Sequence, residues 1–452
     1  MLRRIATVLL AAVTVAATGL SPGIATAAPS VTHHTGTLRD GGSWVADVPA
    51  RWNGTLVLFS HGFGALEAID APDPEVQQAL LDRGYALVGS SYDPHGSIWA
   101  LNSATRDQFE SLAAITGVIG RPRLTLALGS SMGGLVSGQE AQTSGRRLDG
   151  AVSICGLMAG GINLNNYQLD GEYALNQLLR PGRAVKLVGY TSPAEGALAA
   201  QELVATVATA RTDATGRARV ALATALLNMP AWSAGQARPP APRDAEGIAA
   251  AQTEWLTQAL PFIMPGRYYI ELSAGGNASW NKGVDYAALL ARSPHRDTVR
   301  ALYRKAGLNV RADLDNLTEH AAGGADAAAV RKLTRTSTLS GHLDVPQLTM
   351  HTLYDQLAPV EFENQYARQV GAAGDQRLLR QAYVARRGHC AFTPGEILAA
   401  LRAVEHRATT GWWHQVATTQ HLQAAALALN LGTPAFVDHR PGTFVNHRQF
   451  HG

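Results

Sequence analysis

Residues 124 to 134 constrain the fold of this chain more than any other stretch. A short apolar run, Leu124 to Leu128, has the length of a buried strand and stops at Gly129-Ser130-Ser131-Met132-Gly133. The five residues match G-x-S-x-G, the pattern of a sharp turn from a strand into a helix that exposes the serine hydroxyl. Glycine suits positions 129 and 133 because a side chain there would collide where the strand and helix pass closely. The stretch predicts Ser131 as a nucleophile at the edge of a sheet.

The pattern alone is weak, because Gly19-Leu20-Ser21-Pro22-Gly23 matches it too. That copy lies in residues 1 to 28, which carry two early arginines, an apolar Ala- and Val-rich run and small residues before Pro29. These features are typical of a signal peptide and predict a secreted, extracellular protein. The alternative, a membrane anchor, needs about 20 apolar residues, and two threonines and a glycine interrupt this run. No later stretch is long and apolar enough to span a bilayer.

Length and charge exclude several classes of function. A chain of 452 residues allows two or three domains, or one large domain with an insertion. Its 38 Lys and Arg are nearly balanced by 35 Asp and Glu, without a dense basic cluster, which argues against a nucleic-acid partner or a polybasic membrane face. The motifs H-E-x-x-H, C-x-x-C and G-x-x-x-x-G-K-[ST] are absent, so we predict neither a metal nor a cofactor. The oligomeric state stays open.

Strand-like and helical segments alternate through the first third of the chain. A hairpin at 35 to 48 precedes strands at 54 to 60, 85 to 89, 124 to 128 and 151 to 154, with helices near 74 to 83 and 101 to 118. Two more strands follow at 346 to 352 and 378 to 384, and a helix lies near 394 to 407. This alternation predicts a mainly parallel sheet with helices on both faces.

Residues 161 to 340 differ in character, because strand signals nearly vanish and Ala, Leu, Gln and Arg recur at helical spacing. The clearest helical segments are 195 to 209, 217 to 227, 246 to 260 and 297 to 306, and a proline-rich connector at 237 to 242 divides the region. We therefore predict a signal peptide (1–28), a first core segment (29–160), a helical cap (161–340), a second core segment (341–411) and a tail (412–452) packed on the core, with Trp413, Phe436 and Phe444 as its anchors.

Two loops supply partners for Ser131. A neutral serine needs a base within hydrogen-bond reach, and the base needs a third group that fixes its tautomer. Asp355 and His389 each follow one of the two late strands, which gives the order Ser, Asp, His. The weaker alternatives are His351 and His342 for the base and Asp344 and Asp93 for the acid, and Asp355 could also be an ordinary turn residue.

The strand at 54 to 60 ends at His61-Gly62-Phe63, and the loop after this strand is predicted to supply an oxyanion donor. In the strand-turn-helix arrangement, one oxyanion donor is the amide that follows the nucleophile and the other comes from an earlier loop. We assign these roles to the backbone amides of Met132 and Phe63. His61 is interpreted as a structural support.

These motifs together resemble the α/β-hydrolase superfamily, and more narrowly its secreted bacterial esterases and lipases and its prolyl-oligopeptidase-like members. The resemblance implies an α/β-hydrolase fold with a large helical cap, and hydrolysis of carboxylic esters through an acyl-enzyme on Ser131, without a cofactor. The substrate would be a small-molecule or polymeric ester. Two alternatives stay open: an amidase or peptidase that uses the same triad, and a binding protein of this fold without turnover.

The chain has two cysteines, Cys155 and Cys390. In an exported protein an even number of cysteines favours one disulfide, and two buried thiols are the alternative. A partial likeness to the tannase and feruloyl esterase group, in which a cysteine follows the histidine, implies that the bridge would hold the loop of His389. The sequence departs from that group at Ser130, where the group has the other cysteine.

Overall fold

A computed structural model describes residues 30 to 448. The predicted signal peptide, residues 1 to 28, lies outside the described residues. Within the described part of the chain, none of the helices combines the length and the apolar character needed to cross a bilayer.

Nine strands form one mixed sheet in the order β1-β2-β4-β3-β5-β6-β7-β8-β9. Strands β3 to β8 are parallel to one another, whereas β1, β2 and β9 pair antiparallel at the two edges. The prediction of a mainly parallel sheet is confirmed. The strands are β1 Val31–Thr37, β2 Ser43–Pro49, β3 Thr55–Ser60, β4 Ala86–Ser90, β5 Leu124–Ser130, β6 Gly150–Ile154, β7 Gln347–Tyr354, β8 Leu379–Arg387 and β9 Phe436–Val437.

Helices cover both faces of this sheet. One face packs against α1 Pro74–Leu81, α13 Pro394–Thr410 and α14 Thr419–Leu429. The other face packs against α2 Ala104–Ile119, α3 Met132–Gln142 and α12 Glu361–Ala373, and this core continues into the region between β6 and β7. Buried parallel strands need such two-sided cover, which explains why β3, β4 and β6 are buried at every position.

Eight helices lie between β6 and β7, and we call this region the cap. They are α4 Gly160–Leu179, α5 Pro193–Ala210, α6 Ala214–Leu226, α7 Ala245–Ala274, α8 Tyr286–Arg292, α9 Arg296–Lys305, α10 Val310–Glu319 and α11 Ala327–Ser337. The sequence-based end of the third predicted cap helix at residue 260 is wrong, because α7 continues through Pro261 and Pro265 to Ala274. A proline inside a helix costs about 3 kcal/mol. Burial of Ile263, Met264 and Ile270 offsets this cost.

The C-terminal segment contacts both the core and the cap. Trp413 and Phe436 are buried against the core, and β9 extends the sheet beside β8. Beyond them, Phe444 packs edge-on against Tyr167 of α4. Arg448 then pairs with the buried carboxylate of Asp170, which also accepts hydrogen bonds from Asn446 at 2.6 Å and Tyr286 at 3.1 Å. Sequence reasoning placed this segment on the core and missed its contacts with the cap.

Candidate active site

The turn between β5 and α3 is as sharp as the G-x-S-x-G pattern requires. Ser131 has φ 59° and ψ −121°, a backbone conformation that residues with side chains rarely adopt. A Cβ at Gly129 would lie 1.9 Å from the carbonyl oxygen of Gly133, and one at Gly133 would lie 1.9 Å from that of Ser60. Both glycines are therefore required by the close passage of β5, α3 and β3.

Ser131, His389 and Asp355 form one hydrogen-bonded chain. Nε2 of His389 lies 2.7 Å from Oγ of Ser131, and Nδ1 of His389 lies 2.7 Å from Oδ2 of Asp355. The three residues follow β5, β8 and β7, and the carboxyl ends of these parallel strands meet at one edge of the sheet. The structure thus brings together the three side chains that were predicted separately.

The Asp355 carboxylate is fixed before any substrate binds. Its Oδ1 accepts hydrogen bonds of 2.9 Å from the amides of Leu357 and Ala358, which leaves Oδ2 for His389. Burial would raise the pKa of Asp355, but attraction to His389 and hydrogen bonds from His389 and His351 outweigh burial and hold this pKa well below its usual range. The carboxylate therefore stays ionised across the neutral range and can stabilise a protonated His389.

The order of the strands and the positions of the three catalytic-type loops identify the fold. A parallel sheet with an antiparallel edge carries the elbow after β5, the acid after β7 and the histidine after β8. The chain has the α/β-hydrolase fold. Like other α/β hydrolases, it exposes the serine above the carboxyl edge of the sheet.

Comparison with known proteins gives a relative that matches this chain over most of its length. The chain is 29% identical to o-phthalyl amidase of Xanthobacter agilis over 448 residues, which cover 90% of this chain and 95% of the relative. No protein-family model matches the sequence. The fold and the relative together support hydrolase activity for the chain.

Solved structures with the same kind of fold are more distant. An esterase of Aspergillus oryzae has a TM-score of 0.45 at 14% identity, and the match covers 82% of this chain and 77% of that one. Feruloyl esterase B of the same organism has a TM-score of 0.42 at 13% identity, with 83% and 80% covered. Likeness at this level bears on neither the substrate nor the mechanism.

The loop after β3 lies against the serine. A Cβ added to Gly62 would lie 3.2 Å from Cβ of Ser131, a tight contact, so glycine suits this close approach of the backbone. His61 is buried, stacks on the Tyr92 ring at 4.1 Å and contacts the Gly62 carbonyl oxygen through Nδ1 at 2.9 Å. Burial lowers the pKa of His61, which keeps the ring neutral. These contacts make His61 a support for the loop that carries Phe63.

The two amides assigned as oxyanion donors belong to Phe63, before the serine in sequence, and Met132, directly after it. Met132 is the first residue of α3, and the first amides of a helix have no acceptor within that helix. Phe63 lines the cavity that also contains Ser131 and His389. Neither amide donates a loop or side-chain hydrogen bond within residues 30 to 448. Both could therefore donate a hydrogen bond to a ligand oxygen.

A disulfide joins the histidine loop to the end of β6. Cys155 and Cys390 are bonded, with Cα atoms 5.2 Å apart and a sequence separation of 235 residues. Oγ of Ser130 lies 3.4 Å from Sγ of Cys390, so the residue before the nucleophile contacts the bridge. The bridge anchors the residue next to His389. Cys155, His389 and Cys390 are also close enough to hold a metal ion, but their two sulfurs are bonded to each other.

A narrow apolar cavity of about 50 Å³ opens beside Ser131 and His389. Core and cap each contribute to its walls, which include Phe63, Trp99, Leu157, Leu164, Phe262 and Ile263. Gln168 of α4 adds an amide. Apart from His389, none of the described residues that line the cavity is ionisable. Such walls suit an uncharged, apolar group on the substrate.

The rival residues lie elsewhere or serve other contacts. Asp344 accepts a 3.2 Å hydrogen bond from Ser144 at the opposite end of the sheet, and Asp93 caps a local turn through the amide of His95. His342 is exposed and lies 3.6 Å from Asp375. His351, in contrast, is buried against Asp355. Sequence reasoning weighed His351 only as a base.

Sequence reasoning also missed the cavity walls. Trp99 lies in a loop, Gln168 lies on α4, and Phe262 lies between the two prolines of α7. None of these positions carries a local motif.

Proposed function

We propose that this protein is a serine hydrolase in which Ser131, His389 and Asp355 form and then hydrolyse an acyl-enzyme. The observation that carries the proposal is the continuous hydrogen-bonded chain from Oγ of Ser131 through His389 to Asp355, with two distances of 2.7 Å. A serine at this backbone conformation, a histidine within reach and an ionised acid are the three requirements of this chemistry.

In the proposed reaction, Oγ of Ser131 attacks the substrate carbonyl carbon while Nε2 of His389 takes the hydroxyl proton. The carbonyl oxygen becomes an oxyanion, which the Phe63 and Met132 amides stabilise. Collapse of this intermediate breaks the bond to the alcohol or amine, and His389 returns the proton to that leaving group. Water then attacks the acyl-enzyme with His389 again as base, which releases the acid and regenerates Ser131.

The apolar cavity supports an uncharged apolar or aromatic acyl group as the part of the substrate next to the scissile carbonyl. A carboxylic ester is the first candidate, because this chemistry needs least help for an alcohol leaving group. One observation favours an amide as the second candidate. The full-length relative is an o-phthalyl amidase, whose name combines an aromatic acyl group with an amide bond.

The test uses a fluorophosphonate probe together with matched substrates. We expect the probe to modify Ser131 in the folded protein, identified by peptide mass spectrometry, and to leave Ser131→Ala unmodified. Turnover should be measured on the nitrophenyl ester and the anilide of benzoic acid and on the anilide of phthalic acid, whose second carboxylate adds a charge.

Each outcome of this test has one meaning. Cleavage of the benzoyl ester alone supports an esterase, and cleavage of an anilide supports an amidase. Preference for the phthalyl anilide over the benzoyl anilide would contradict an uncharged acyl site. A folded protein that neither reacts with the probe nor cleaves any substrate would be a binding protein of this fold, and the proposal would fail.

We also propose that the protein is exported, because residues 1 to 28 have the pattern of a signal peptide. Expression of the full-length sequence in a bacterial host, followed by N-terminal sequencing of the protein in the medium, tests this. A protein that stays inside the cell with residues 1 to 28 attached would contradict export.

A further inference from the structure

A second histidine contacts the same acid as His389. His351 lies in β7, four residues before Asp355, and its side chain is fully buried. Its Nε2 lies 2.8 Å from the carbonyl oxygen of Ala358 and 3.6 Å from Oδ2 of Asp355. Its Nδ1 lies 3.2 Å from Oε1 of Glu363 in α12. Both ring nitrogens therefore face oxygen atoms.

The contacts of His351 favour a proton on each ring nitrogen. A neutral imidazole donates from one nitrogen only, and neither a carbonyl oxygen nor an ionised carboxylate can donate to the other. Burial alone would lower the pKa of His351, but hydrogen bonds and attraction to Asp355 and Glu363 raise it to about 10. The ring is consequently an imidazolium near neutral pH.

Glu363 is held as the counter-charge of this imidazolium. Its side chain is buried, and Oε2 accepts hydrogen bonds from the Thr349 hydroxyl and, at 2.7 Å, from the Gln381 amide. Its other oxygen, Oε1, faces His351. These contacts fix the Glu363 carboxylate beside the His351 ring.

We propose that His351 is a positioning residue: a protonated ring that holds the Asp355 carboxylate and, balanced by Glu363, limits how readily His389 accepts a proton. The inference rests on the proposed roles of Asp355 and His389. Before proton transfer the four groups carry one net negative charge, from two carboxylates and one imidazolium. After His389 is protonated their net charge is zero, so the buried cluster becomes neutral as the oxyanion forms.

Other ionisable groups lie near this cluster. Burial raises the pKa of Glu361 in α12, and the attraction of Glu361 to His351 opposes this rise. Tyr383 of β8 and Tyr167 of α4 face Glu363 and Asp355, and burial raises the pKa of each hydroxyl, which keeps both neutral. Tyr366 of α12 also senses Glu363, and burial raises the pKa of its hydroxyl, which keeps it neutral as well.

The test is an NMR titration of histidine Cε1–H signals in the complete protein without substrate. We expect one signal at the imidazolium position that does not titrate between about pH 5 and 8, and that disappears in His351→Gln. His389→Gln identifies the signal of His389. Gln at 351 keeps an amide donor near Ala358 and Asp355 but removes the positive charge.

In His351→Gln the midpoint of the His389 signal should rise by about one pH unit, because a neighbouring positive charge has been removed. The acidic limb of the kcat/KM profile should move by the same amount. The matched control is His342→Gln, which removes an exposed histidine at the other end of β7 and should move neither. If His351→Gln does not fold, Glu363→Gln serves instead, and the silent signal should then begin to titrate.

The inference is overturned if the His351 signal titrates near pH 6.5 in the unmodified protein, or if the His389 midpoint is the same in His351→Gln. Because the NMR midpoint needs no turnover, failure of this inference is separate from failure of the proposed function. A shifted midpoint in a protein without any hydrolase activity would uphold the charge coupling and reject the reaction. An unshifted midpoint in an active enzyme would reject the charge coupling and uphold the reaction.

Discussion

The sheet edge and the cap contribute to the same cavity by different physical means. At the sheet edge, Ser131, Asp355 and His389 are placed by short loops whose backbone is fixed by glycines, amide hydrogen bonds and a disulfide. In the cap, the cavity walls come from the faces of α4 and α7, which are placed by side-chain packing over long distances in sequence. The difference suggests that the sheet edge performs the reaction and the cap selects the substrate.

The largest effect should follow removal of the nucleophile or the base. Ser131→Ala and His389→Ala should each lower kcat by about 10⁴- to 10⁶-fold on every substrate, because each removes a member of one catalytic unit. Steady-state kinetics on an ester and an amide would measure this. The control is His320→Ala, an exposed cap histidine, which should keep the full rate. A loss of activity on only one of the two substrates would mean that the sheet edge also selects the substrate. That result would contradict the division of roles between sheet edge and cap.

Asp355→Asn should lower kcat by about 10⁴-fold, because an amide at this position favours the wrong tautomer of His389. The matched control is Asp344→Asn, which changes an aspartate at the opposite end of the sheet and should reduce the rate little. Full activity of Asp355→Asn would mean that another group orients the base.

Removal of the disulfide should have an intermediate effect. In the double variant Cys155→Ala with Cys390→Ala, we expect kcat to fall by about 10- to 100-fold, because the loop of His389 loses its anchor. The free energy of unfolding should fall by at most about 5 kcal/mol in urea titrations. Two titratable thiols in the unfolded, unreduced parent protein would show that the bridge does not form.

A change in the cap should alter selection more than rate. Phe262→Ala should change the ratio of kcat/KM between large and small acyl groups by about tenfold, because the ring forms part of the cavity wall. Leu272→Ala is the matched control, since this exposed leucine lies on the same helix and does not line the cavity. An equal loss of kcat on all acyl groups would contradict a selective role for the cap.

The smallest effect on turnover should come from Glu140→Gln. This variant instead tests how a buried acid in α3, the helix after the nucleophile, affects the stability of the fold. Burial raises the pKa of Glu140 to about 8, so the folded protein holds this acid protonated while the unfolded chain ionises it above about pH 4.5. The parent protein therefore loses stability as the pH rises from about 4.5 to 8. The glutamine should remove this loss and stabilise the fold by about 3 kcal/mol at pH 7 but not at pH 4. Melting temperatures across this range test the sign, and a gain independent of pH would refute it.

Much of the sheet edge could be predicted from sequence because its constraints are local. Positions 129 and 133 have no room for a side chain, and the sequence shows this constraint directly as glycine. The loops of Asp355 and His389 each follow a recognisable strand. The alternation of strands and helices likewise predicted the parallel sheet. The exact roles of the three side chains stay predictions until kinetics test them.

The rest depends on contacts that no local pattern records. The extension of α7 past Pro261 depends on burial against other helices, and β9 has only two residues. The pairing of His351 with Glu363 joins a strand to a helix, and its effect on the site depends on the charges of the two side chains. Long-range packing and electrostatics of this kind leave no spacing in the sequence to detect.

The buried carboxylate of Asp170 also bears on the order in which the molecule matures. Its ionic partner, Arg448, lies 278 residues further along the chain. A ribosome that has made α4 must still produce the whole remainder of the cap and the second half of the sheet before this charge is matched. A newly made α4 therefore carries an unmatched buried charge until the chain has been made through Arg448.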